Sequence, residues 1–88
     1  MKLQIVAVFD SAAQAYSTPA FVSATGLAVR QLSSDVNRAS DAPIFTNPDD
    51  FELYHLGEFD DETGIIFSLS SPILLARAKD LAVRLKVS

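Results

Sequence analysis

Residues 47–69, NPDDFELYHLGEFDDETGIIFSL, constrain the fold more than any other part of this chain, because they spell a strand, a turn and a returning strand. From Phe51 the residues alternate with a strand's period of two. Phe51, Leu53, His55, Gly57 and Phe59 fall on one side, and Glu52, Tyr54, Leu56 and Glu58 on the other. Gly64 suits the left-handed position of a three-residue hairpin loop, Glu62-Thr63-Gly64. That loop predicts a register in which Asp61 faces Ile65, Asp60 faces Ile66, Phe59 faces Phe67 and Gly57 faces Leu69. Phe59 and Phe67 then pair on the core side of a helix-covered sheet. Just ahead, Asn47-Pro48-Asp49-Asp50 has the arrangement of a capped helical turn with Pro first.

Residues 3–9 (LQIVAVF) are nearly all apolar, as in a central strand covered on both faces. Residues 15–23 read as an edge or irregular strand, since Pro19 cannot donate to a ladder. Thr25 can cap a helix over 26–38 with Ala28, Val29, Leu32, Val36 and Ala39 on one face and Arg30, Gln31, Ser34 and Arg38 on the other. Residues 39–46 form a loop. Ser71-Pro72 opens a final helix to about residue 86, with Leu74, Ala78, Leu81, Ala82 and Leu85 buried. The predicted fold is α+β with element order ββαββα, an antiparallel sheet of about four strands with two helices packed on one face. Its 88 residues suit one domain spanning the whole chain.

Charge is distributed unevenly. Eight of the eleven acidic residues lie between Asp41 and Glu62, and residues 39–76 contain no Lys or Arg. The net charge of −4 argues against strong nonspecific nucleic-acid binding, which needs cations to neutralise phosphates. The absence of cysteine removes disulfide and thiolate chemistry and fits a reducing compartment. The apolar run 5–9 stops at Asp10, far short of the roughly 20 residues of a membrane span, so a cytoplasmic protein without membrane contact is expected.

No pattern of catalytic or metal-ligating residues emerges, so neither enzyme activity, nor a cofactor, nor a metal is expected. Asp60-Asp61-Glu62-Thr63-Gly64 lacks the alternating acids of a calcium loop and reads as a solvated turn. His55, the only histidine, has no second ligand or nucleophile at a telling spacing and reads as structural. Asp10-Ser11 reads as a turn motif, and the glycines at 26, 57 and 64 are too scattered for a phosphate loop.

Two surfaces remain as candidates. The sheet face away from the helices is predicted to show Val6, Val8, Tyr54, Leu56 and Ile66, with Tyr16 or Phe21 able to join them. Such a patch marks a homo-oligomer or partner interface, a region covered by the chain's own loops, or a base-stacking platform. The basic residues Arg30, Arg38, Arg77, Lys79, Arg84 and Lys86 are either solvated side chains or phosphate contacts.

In order, the chain shows Phe9-Asp10-Ser11, Tyr16 with Pro19 and Phe21, Gly26-Leu27-Ala28-Val29-Arg30, Val36-Asn37, then Asn47-Pro48-Asp49-Asp50-Phe51-Glu52-Leu53 and Leu56-Gly57-Glu58-Phe59-Asp60-Asp61-Glu62-Thr63-Gly64. This series over residues 2–75 resembles the small non-structural protein of gokushovirus-type microviruses, tailless phages with circular single-stranded DNA genomes. Ala12 and Ala13 depart from it, standing where a basic residue is common. The resemblance implies a non-enzymatic accessory protein that assists viral single-stranded DNA synthesis or packaging, by binding DNA or the replication complex. It places that protein in the cytoplasm of the infected bacterium and outside the virion. The residue chemistry leaves a different reading open: a homodimeric module that binds a host or viral protein through its open sheet face. In that reading the acidic middle segment can serve as a DNA mimic aimed at a basic host protein.

Overall fold

The computed structural model describes residues 1–83. Arg84, Leu85 and Lys86 lie outside the described residues, so the end of the predicted final helix and two of the predicted phosphate contacts do too. The fold is α+β, a curled antiparallel sheet with short helices. Its strands are β1 (Lys2–Asp10), β2 (Ala15–Tyr16), β3 (Ala20–Val22), β4 (Phe51–Asp60) and β5 (Ile65–Arg77). The helices are α1 (Thr25–Asn37), α2 (Pro43–Thr46) and α3 (Ala78–Leu81), with a 3-10 turn at Pro48–Asp50.

Pro19 splits the predicted second strand. β2 and β3 pair with different parts of β1, and Ser17 spans the gap: its N–H donates to the Val8 carbonyl, and its hydroxyl accepts from the Val8 N–H. β1 and β4 pair along nearly their full length, and β5 lies beyond β4. The predicted order ββαββα therefore gives way to three strands, then α1 and α2, then the hairpin and α3.

The core forms where α1 lies on the sheet. Ala28, Leu32 and Val36 repeat every four residues along one stripe of α1 and meet Val6 of β1, Leu53 of β4 and Ala78 of α3. The cap differs from expectation, because Ala24 takes the N-cap position without a side-chain hydrogen bond and Thr25 is already helical. Asn47 likewise makes no capping bond at the 3-10 turn, and residues 43–46, expected as loop, form α2.

The largest correction concerns residues 71–77. They continue β5 and do not open a helix. Tyr54 faces Leu74, Leu53 faces Ala76 and Glu52 faces Arg77, so this segment pairs with backbone of β4 that would otherwise lack a partner. Ser71-Pro72 suits either assignment, since Pro starts helices and is also tolerated in edge strands. Pairing outweighs helix propensity here.

Irregularities in β4 and β5 set which face each side chain occupies. Ile5 faces Gly57 whereas Val6 faces His55, leaving Leu56 as an extra, bulged residue. A one-residue insertion reverses the alternation beyond it. Phe59, expected beside Phe51 and Leu53, therefore moves to the face without helices, level with Leu3. His55 secures the bulge: its Nε2 lies 2.8 Å from Gln4 Oε1 and 3.0 Å from the Gly57 carbonyl oxygen. Two acceptors at one ring nitrogen assign the proton to Nε2. The Gln4 amide in turn donates to Glu58 Oε2 at 3.1 Å.

The hairpin turn has four residues where three are predicted. Asp60 faces Ile65, Phe59 faces Ile66, Glu58 faces Phe67 and Gly57 faces Ser68, one step from the expected register. Gly64 takes φ +75° as expected, and its N–H donates to the Asp60 carbonyl at 2.8 Å. Beyond the reach of α1 the strands extend as an arm, giving a molecule of 51 × 23 × 20 Å.

Candidate functional site on the helix-free face

Side chains on β1 alternate between two layers. Val6 and Val8 face the helices, Val6 within the core and Val8 packed against it, which corrects their predicted place on the open face. β1 thus runs one residue out of phase with the expected alternation. Near-continuous apolarity hides the phase, because both faces of this strand are apolar. The helix-free face instead carries Leu3, Ile5, Ala7 and Phe9 from β1. Tyr54 and Ile66 stand there as predicted, opposite Ala7 and Phe59 respectively, while Leu56 is the bulge residue.

Two aromatic groups form on this face. Near the body, the Phe9 and Tyr16 ring centroids are 4.8 Å apart and those of Tyr16 and Tyr54 5.7 Å, with Tyr54 edge-on to Phe9 at 6.5 Å. Such geometry is favourable between ring quadrupoles. Out on the arm, Phe21 and Phe59 meet edge to face at 5.5 Å. Tyr16 and Phe21 are close to half exposed. Of these rings the sequence reading missed Phe9 and Phe59. Alternation through Leu3, Ile5, Ala7 and Phe9 was the available signal for Phe9; for Phe59 the bulge concealed it.

A polar network borders the first group. The Tyr54 hydroxyl donates to Glu52 Oε1 at 3.1 Å, and Arg77 Nε donates to Glu52 Oε2 at 3.0 Å. Desolvation raises the Tyr54 pKa above the usual tyrosine value, and the Glu52 carboxylate that accepts its proton adds to the rise. A raised folded-state pKa means the protonated phenol contributes stability that is present below the unfolded value of about 10 and is lost as pH rises through the higher folded value. Ultraviolet titration should show one tyrosine ionising above the ordinary range, and Glu52→Gln should move that transition down. An unchanged titration in Glu52→Gln would contradict the network.

Among the described residues the predicted basic side chains do not gather on one surface. Arg77 borders the aromatic group, whereas Arg30 belongs to α1, Arg38 follows it as the C-cap and Lys79 belongs to α3, in the helical layer. On the helical side an open apolar cavity of about 340 Å³ lies between α1 and the β1–β3 edge, lined by Val6, Val8, Leu27 and Leu32 among others. At its rim Gln31 Nε2 donates to Asp35 Oδ1 at 2.9 Å. Among the described residues no three His, Asp or Glu side chains are grouped to hold a metal ion.

Fold and surface define a small mixed α+β protein whose notable chemistry is an aromatic sheet face. Its sequence matches the family model described as Phage ORF5 protein over residues 3–81, and the chain belongs to that phage protein family. No curated protein and no solved structure matches it significantly.

Proposed function

We propose that this is the non-enzymatic, non-structural accessory protein of a gokushovirus-type microvirus, assisting viral single-stranded DNA synthesis or packaging in the cytoplasm of the infected host. One observation carries the reading: Phe9, Tyr16 and Tyr54 form a continuous aromatic surface with the Arg77 guanidinium on the same face. Every base has a π face, so the nearly half-exposed Tyr16 ring, flanked by the partly buried Phe9 and Tyr54 and by a guanidinium, accepts unpaired bases without sequence preference, at about 1–3 kcal/mol per stacked base. With a net charge of −4, stacking outweighs phosphate neutralisation in this contact.

Fluorescence anisotropy of labelled oligonucleotides, titrated at low and near-physiological salt, tests this. Single strands should bind more tightly than duplexes with a shallow salt dependence. Tyr54→Ala should weaken binding about tenfold, the loss of roughly 1.4 kcal/mol of stacking. Arg77→Glu should weaken it too, while Arg30→Glu, in the helical layer, should not. Absence of binding at low salt would sink the DNA reading.

A second reading has the same face binding a protein, either another copy or a replication component. The Glu52 carboxylate among the rings favours it, since a carboxylate repels phosphates. Tyr54→Glu should then abolish association.

A further inference from the structure

The two edges of the sheet are unlike. One consists of β2 and β3, two and three residues long and separated by Ser17-Thr18-Pro19, a broken edge that resists pairing. The other is β5, thirteen residues long, which among the described residues pairs only with β4. No charged residue occurs from Ile65 to Ala76, and Ile65, Ile66, Phe67, Ile73 and Leu74 are 39–57% exposed. A long, apolar, free edge is a template for another strand. Its ends differ in charge: Asp60, Asp61 and Glu62 precede it, with the Met1 amino group 2.8 Å from Asp61 and 3.9 Å from Glu62, whereas Arg77 and Lys79, followed by the single acid Asp80, stand at and beyond its close.

We propose that β5 pairs antiparallel with β5 of a second copy, about a two-fold axis near Ser70 and Ser71, joining two sheets into one. Charge selects the direction. Antiparallel pairing sets each acidic turn beside the partner's Arg77 and Lys79, whereas parallel pairing would set the two acidic turns side by side. Arg77 is bound to its own Glu52 through Nε, yet remains 49% exposed with further guanidinium donors. Topology selects the number. The contact is isologous, it uses the one long free edge found among the described residues of each copy, and the broken edge offers no continuation, so assembly closes at two. Pro72 falls beside the axis, among residues 69–72 where β5 already bulges away from β4, and the segments on either side carry the pairing.

The β5 edge adjoins the helix-free face and shares Arg77 with it, but strand pairing needs none of the rings Phe9, Tyr16 and Tyr54, so a DNA titration of either outcome leaves the proposal untouched. Light scattering of the full chain at about 100 μM should give twice the 9.5 kDa of one chain. Arg77→Glu/Lys79→Glu alone should dimerise at least tenfold more weakly, as should Asp61→Lys/Glu62→Lys alone, with far-ultraviolet circular dichroism reporting that each is folded. An equimolar mixture of the two should recover the dimer, because opposite charges then meet at both ends. A monomeric parent would overturn the proposal. So would a dimer unaffected by either charge reversal, or one broken by Tyr54→Glu alone, which would put the second copy on the helix-free face.

Discussion

Gly57→Ala should lose about 3 kcal/mol of stability and disrupt the hairpin arm, the upper part of the range for overpacked sites. A Cβ at Gly57 would collide with the Phe67 carbonyl oxygen and stand 3.1 Å from both Phe67 C and Ser68 Cα. All three are backbone atoms, so no side chain can rotate away, and relief requires β5 to separate from β4. For a chain of this size the melting temperature should fall by roughly 12 °C or more. Gly26→Ala provides the contrast. Nothing lies within 4 Å of a Cβ there, in the first turn of α1, and the substitution should stabilise by about 0.5–1 kcal/mol. Thermal melts of the two variants side by side check the claim; equal melting temperatures would refute the close approach at Gly57.

Leu32→Ala should lose about 2–5 kcal/mol, comparable to the whole stability of a marginal domain. Leu32 is 4% exposed, at the centre of the α1 stripe that meets Val6 and Leu53. The core consists of a single layer of contacts between α1, α3 and the sheet, with few alternative partners to fill a void. Leu27, five residues earlier on α1 and off the buried stripe at 48% exposure, should tolerate alanine within about 0.5 kcal/mol. Urea unfolding should therefore separate the two by several-fold in free-energy loss. Near-equal losses would mean that the core does not lie where α1 crosses β1 and β4.

Much of this fold is legible in the sequence, for identifiable reasons. The α1 stripe of Ala28, Leu32 and Val36 follows from helical periodicity, the break at Pro19 from its missing donor, and the turn from Gly64, which does take the left-handed conformation. The rest depended on long-range pairing. Residues 73–77 carry helix-compatible residues, and only the unpaired backbone of β4 makes them a strand. The bulge at Leu56 has no local signature, yet it moves Phe59 from one face to the other. Only part of the set expected on the open face is placed there: Tyr54 and Ile66 stand on the helix-free face and Val6 and Val8 do not, because β1 is apolar on both sides and its phase cannot be read. The basic residues were grouped along the chain, but the sheet separates Arg77 from Arg30, Arg38 and Lys79.

The extra residue at Leu56 also has a genetic meaning. On its proximal side Leu53 points into the helical core, and on its distal side Phe59 points away from it, though both belong to one alternating strand. Loss or gain of a single codon at this point exchanges the two faces of the whole arm while leaving the body in register. What the arm presents to a partner can thus be rewritten in one mutational step, and the residues that hold the protein together need not change.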